Sequence, residues 1–277
     1  MPTTYQERFG NNDDLIHAYA NDNSPRVSEI QYLYDAIKRL KARRILNIPF
    51  EGSLIKTVAT NEQVTFADFV VPATLHRWNI FQTNFALTGI RRNYFDAVIS
   101  IAGIHHLTDQ EQFEFIVATR KTLRVGGRLL MVEVTTDSPT SRFLDGFVGK
   151  HTPTGHVGNY LKEDFTQIVK QAGYQQIRRK TVIHEWMFRD KEHLYAWMTK
   201  FFGVSAPKQD LIAQVEGILG INKRKECLTV NWPLDFVGAQ AERTPRKISS
   251  PPRRDKIDRS PLRANSSARR KAPASYR

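Results

Sequence analysis

The 277-residue sequence predicts an α/β fold: a mostly parallel sheet with helices on both faces. Two observations carry this. Strand-like runs alternate with helix-like stretches over most of the chain, the pattern of strands joined by helical crossovers. The strongest strand run, Ala97 to Ile101, is nearly continuously apolar, as befits a strand covered on both sides. A hydrophobic content of 40% suffices for a core, and no run of 18 apolar residues marks a membrane span.

The elements follow in order. Residues 1–24 are polar and form an N-terminal extension, with Leu15, Ile16 and Tyr19 spaced for a short helix. Ile30, Leu33, Tyr34, Ile37 and Leu40 recur at helical spacing, so Ser28–Leu40 is a helix with one buried face. Cations cluster at its C-terminal end, where they suit the helix dipole. Strands are expected at Arg44–Ile48, Gln63–Ala67, Asn79–Thr83, Phe95–Ile101 and Arg128–Val134. Helices are expected at Leu54–Thr60, Ala73–Arg77, Gln110–Leu123 and Lys162–Ala172. Ala172-Gly173-Tyr174 stops the last of these and feeds a strand, Gln176–His184; Leu228–Val237 is the final strand. Between them, Asp190–Gly220 reads as an insertion of two helices. Its aromatic residues either pack on the sheet or cover a substrate pocket.

Two segments carry chemistry. Phe95-Asp96-Ala97-Val98-Ile99-Ser100-Ile101-Ala102-Gly103-Ile104-His105-His106-Leu107 is a buried strand ending in a small-residue turn with two histidines. About twenty residues on, Thr122-Leu123-Arg124-Val125-Gly126-Gly127-Arg128-Leu129-Leu130-Met131-Val132-Glu133 gives a helix end, a tight Gly126-Gly127 turn and a second buried strand. In residues and spacing the two resemble the fourth and fifth strands of class I S-adenosylmethionine-dependent methyltransferases. The resemblance spans roughly residues 30–185. It implies a Rossmann-like methyltransferase domain over residues 25–242: a mostly parallel seven-stranded sheet with an antiparallel final strand pair. It further implies S-adenosylmethionine as cofactor and an unidentified methyl acceptor as partner. The histidine turn is particularly similar to that of the tRNA wobble-uridine branch, though small-molecule methyltransferases share such turns.

The family binds its cofactor across the carboxyl ends of the first four strands, the crevice general to open α/β sheets. The resemblance therefore points to Asn47, Pro49, Glu51 and Gly52 after the first strand, Asp68 after the second, Asn84 after the third, and Ser100 and Ile101 at the end of the fourth. The first group departs from the family's glycine-rich pattern. Asn47 replaces an acid, while Pro49 and Glu51 replace glycines; proline fixes φ and removes an N–H. Asp68 matches the family's ribose-binding acid, and an Asp capping the next helix is the plain alternative. Asn84 stands at the adenine position, where a turn role is equally open.

Methyl transfer from a sulfonium needs alignment of donor and acceptor, and a base only where the acceptor must lose a proton. His105 and His106 stand where a base would serve. A second polar stretch, Lys150 to Tyr160, follows the fifth strand and offers His156 and Tyr160 to orient an acceptor; a surface loop is the plain alternative. His151 and His156 do not form a helical i, i+4 pair, and no metal site is expected from spacing.

The net charge is +13. Residues 243–277 hold twelve Lys/Arg against two Asp, with five Pro, six Ser and few large aliphatics. Such a segment is expected to be disordered, because it buries too little to offset its ordering entropy. A flexible polycation suits nonspecific nucleic-acid contact through phosphates. The single cysteine, Cys227, and a polar start without an apolar signal core are compatible with a cytoplasmic setting. Two further readings stay open beside the enzyme: a catalytically inactive scaffold, motivated by the eroded first motif, and a nucleic-acid-associated protein using the tail.

Overall fold

The computed structural model describes residues 24–49, 63–69, 71 and 79–242. All but the last residue of the expected extension over residues 1–24, the helices at Leu54–Thr60 and Ala73–Arg77, and the basic tail lie outside the described residues, as do Glu51 and Gly52.

Among the described residues the sheet has eight strands: β1 (Arg44–Asn47), β2 (Gln63–Asp68), β3 (Phe81–Gln82), β4 (Phe95–Ile101), β5 (Leu123–Glu133), β6 (Tyr174–Phe188), β7 (Ile221–Lys223) and β8 (Leu228–Ala241). Their order is β3-β2-β1-β4-β5-β8-β6, with β7 added against β8. The first five strands run parallel to one another. β8 runs antiparallel to β5, β6 and β7. The expected seven-strand pattern with its antiparallel final pair is thus present, and short β7 is an addition that the sequence reading missed.

Helices cover both faces. On one, α1 (Val27–Leu40) buries Ile30, Leu33, Tyr34 and Ile37 against Ala97, Ile99, Ile101, Leu130 and Val132 of the sheet. The same face takes α3 (Pro139–Arg142), which runs on as a π-helical stretch, Phe143–Val148, and a last turn, Gly149–His151. It also takes α5 (Lys191–Phe202) and α6 (Lys208–Gln214). On the other face, α2 (Asp109–Thr122) and α4 (Phe165–Gln171) pack Phe115, Ile116, Phe165 and Val169 against Val98, Leu129 and Met131. Burial of this kind contributes about 1.5–3 kcal/mol per large apolar side chain.

α5 and α6 fill the stretch Asp190–Gly220, and its aromatic residues pack. Trp197 and Phe202 join Trp186 of β6 and Trp232 of β8, whose rings stack 4.0 Å apart. The Gly126–Gly127 turn is a bulge within β5 rather than a turn ahead of it. Leu123 pairs with Phe95 but Arg128 with Ala97, so the intervening residues leave the ladder. Gly126 has φ +78°, and a Cβ on Gly127 would lie 2.9 Å from the Arg124 carbonyl. The strand expected at Asn79–Thr83 is reduced to two residues, and the helix expected from Lys162 begins at Phe165.

Candidate site at the carboxyl ends of the strands

The parallel register brings the ends of β1, β2 and β4 side by side. Asn47 pairs with Phe66 of β2 and with Ile99 of β4. Asn47, Asp68, Ser100 and Ile101 are all buried there. Asp68 Oδ1 accepts the Phe69 N–H at 2.6 Å, and the Asp68 carbonyl accepts from Thr83 of the following loop. The Ile101 side chain joins the α1-side core with Ile99, so only its backbone is available to the crevice. The Ser100 hydroxyl is buried without a hydrogen-bond partner among the described residues.

Pro49 is pressed onto the turn after β4: a Cβ on Gly103 would lie 2.6 Å from Pro49 Cγ. The bare backbone of Gly103 therefore seats the proline. Asn84 serves its own turn. Its Oδ1 accepts from the Thr88 N–H at 3.2 Å and from the Thr88 hydroxyl at 3.0 Å, so the turn role is the one with geometry behind it.

His105 and His106 form a short 3₁₀ turn after β4. The helix that follows starts from Thr108. Thr108 and Glu111 make a reciprocal capping box that fixes the start of α2. Glu133, the last residue of β5 and fully buried, braces the turn from the side. Its Oε2 accepts the Ile104 N–H at 2.9 Å, and its Oε1 lies 2.7 Å from His105 Nδ1.

The loop from Thr152 to Tyr160 folds back over this turn. Asn159 donates its N–H to the His105 carbonyl at 2.7 Å, and Gln112 of α2 ties the Asn159 and Ile104 carbonyls together. Consequently His105, His106, His156 and Tyr160, read from two distant segments, form one buried cluster. The ring centroids of His105 and His106 are 4.2 Å apart, His106 and His156 5.1 Å, His105 and His156 5.5 Å, and His105 and Tyr160 5.6 Å. His151 stays outside, against Phe147.

Asp145 closes the cluster from the π-helical stretch, a distortion that often marks functional positions. Its Oδ1 faces His156 Nδ1 at 3.0 Å, accepts the Gly158 N–H at 3.1 Å and accepts the Tyr160 hydroxyl. Burial penalises the charged carboxylate, but hydrogen bonds from His156, Tyr160 and Gly158 outweigh it and hold the Asp145 carboxyl below its ordinary range. Burial, followed by the bond to Asp145, pushes the Tyr160 phenol far up, so it remains a neutral donor. Glu133, Asp145, Gln112 and Asn159 were missed as site residues by the sequence reading. Glu133 had a visible signal, since it closes the second motif, and Asn159 lay within the polar stretch Lys150 to Tyr160.

No protein-family profile matches the sequence, and no curated protein is significantly similar to it. Solved structures are. Phosphoethanolamine N-methyltransferase 2 of Haemonchus contortus, in complex with S-adenosyl-L-methionine, superposes with a TM-score of 0.55 at 17% identity, over 86% of this chain and 59% of that one. The YcgJ protein of Bacillus subtilis gives 0.52 at 15% identity, over 78% of this chain and 100% of that one. A SAM-dependent methyltransferase of Thermotoga maritima gives 0.51 at 12% identity, over 86% and 99%. Taken with the strand order and its antiparallel end, these likenesses show that the chain has the Rossmann-like fold of the class I S-adenosylmethionine-dependent methyltransferases.

Proposed function

We propose that the protein is an S-adenosylmethionine-dependent methyltransferase. The observation that supports this most is the donor set at three adjacent strand ends. Asn47 and Asp68 are buried at the carboxyl ends of β1 and β2, and Ser100 is buried one residue before the end of β4, at the sheet edge where this topology binds ligands. That set suits a cofactor bearing ribose hydroxyls and an amino acid end. A carboxylate has several acceptor positions, so Asp68 can serve ribose hydroxyls beside the Phe69 N–H. When bound, the cofactor supplies an electrophilic methyl group.

The chain's own residues then hold and orient the acceptor. The cluster of His105, His106, His156 and Tyr160 follows the carboxyl end of β4, beside the crevice. Glu133 fixes the orientation of His105, and Asp145 that of His156. Tyr160 acts as a hydrogen-bond donor rather than as a base. The acceptor is a molecule small enough to reach this buried cluster.

Calorimetric titration with S-adenosylmethionine and S-adenosylhomocysteine tests the proposal. Micromolar binding is expected. No binding to folded protein would instead favour an inactive scaffold, the reading motivated by Pro49 in place of a glycine. Nonspecific nucleic-acid contact remains a separate proposal that rests on the composition of residues 243–277. None of the described helices is long and apolar enough to cross a membrane.

A further inference from the structure

We propose that His105, His106 and His156 bind one divalent transition-metal ion of the zinc class. One ring nitrogen from each residue lies within 4.8 Å of the others, and all three side chains are buried. A tetrahedral zinc at about 2.0 Å from each nitrogen would bring them to about 3.3 Å apart. Small ring rotations, on the order of an ångström at the ligating atoms, therefore close the site.

Two features go beyond proximity. Two of the three imidazoles already face a carboxylate through Nδ1: His105 faces Glu133 at 2.7 Å, and His156 faces Asp145 at 3.0 Å. A carboxylate behind the ring is the arrangement that fixes the tautomer of metal-bound histidines and raises their basicity. It assigns Nε2 as the ligating nitrogen of both. Moreover, Glu133 and Asp145 place two negative charges beside the site, matching a dication held by neutral rings. Three imidazoles select zinc, cobalt, nickel, copper or iron over magnesium or calcium, which require oxygen ligands. Three protein ligands also leave a coordination position for water or for a heteroatom of a bound molecule. The site stands independently of the methyltransferase reading, because metal alone is sufficient to test it.

The test uses the full chain, stripped with a chelator and titrated with cobalt(II), read by its visible d–d bands, with zinc uptake measured after dialysis. About one equivalent per chain is expected, with a raised thermal midpoint. Asp145→Asn, which keeps all three ligands, should weaken the metal about 10–100-fold. His106→Gln and His156→Gln should each weaken it at least as much, while His193→Gln, outside the cluster, should leave it unchanged. Folded wild-type protein that takes up no stoichiometric metal and shows no thermal shift overturns the proposal, even if the variants fail to fold. Retention of full affinity in a folded His106→Gln/His156→Gln variant overturns it equally.

Discussion

Glu133 reaches from the end of β5 to His105, 28 residues earlier in the chain, and places Oε1 2.7 Å from Nδ1. The same carboxylate accepts the N–H groups of Ile104 and Val134, so it joins two strand ends through three donors. Glu133→Gln keeps the size but turns an NH₂ toward at least one of these donors. Leaving a buried donor unsatisfied costs about 1–3 kcal/mol. Denaturant unfolding should show a loss of that order; an unchanged midpoint would mean the carboxylate is not the brace.

Asp68 offers a separate check on the crevice. A hydrogen bond to a charged group contributes about 1.5–3 kcal/mol. Asp68→Ala should therefore weaken S-adenosylhomocysteine roughly 10–100-fold in calorimetry. Equal affinity in the variant would remove Asp68 from the cofactor site while leaving the fold untouched.

Asp96 is expected to contribute to stability against acid. It accepts the Arg43 and Arg44 N–H groups at 2.9 Å, and the Arg44 and Arg124 guanidiniums at 3.0 and 2.5 Å. Burial opposes its charge, yet these bonds prevail and hold its carboxyl well below the ordinary value. Because the folded state holds the proton more weakly than the unfolded chain, stability is fully present above the unfolded carboxylate pKa near 3.9. It is then lost as pH falls from there toward the lower folded value. Asp96→Asn should lower stability at pH 7 and flatten the slope of stability against pH below about 4. An unchanged acid slope would refute this assignment.

Gly103→Ala isolates the proline contact. Gly103 has φ −123°, outside the left-handed region, so the nearest obstacle among the described residues is the Pro49 ring, 2.6 Å from the new methyl. Overpacking of this kind costs about 1–3 kcal/mol. Thermal unfolding should detect it, and Gly103→Ala combined with Pro49→Ala should recover part of the loss. Full stability in the single variant would show that the loop gives way freely.

The sheet was legible in the sequence because its central strands are simple. Ala97–Ile101 is apolar throughout, and the Gly126-Gly127 pair announced a break in regularity before Arg128. The helix from Pro139 to His151 was not legible. Gly146 and Gly149 lie inside it, and both disfavour a helix by intrinsic propensity. Gly149 is explained only by its neighbour: a Cβ there would lie 2.7 Å from the His156 carbonyl. The candidate site was half legible for the same reason. His105, His106, His156 and Tyr160 were each visible, but their meeting depends on Asn159 bonding back to the His105 carbonyl, a contact that no local spacing encodes.

The place of β8 has a consequence for synthesis. β8 lies between β5 and β6, and among the described residues β6 has no other partner in the sheet. When the ribosome has released Phe188, the end of β6, that strand must wait for Leu228 and the residues after it. At roughly 5–20 residues per second, the intervening ~40 residues take about 2–8 s. Throughout that interval the nascent chain exposes the unpaired edges of both β5 and β6, so its hazard of aggregation is concentrated between the release of β6 and the release of β8.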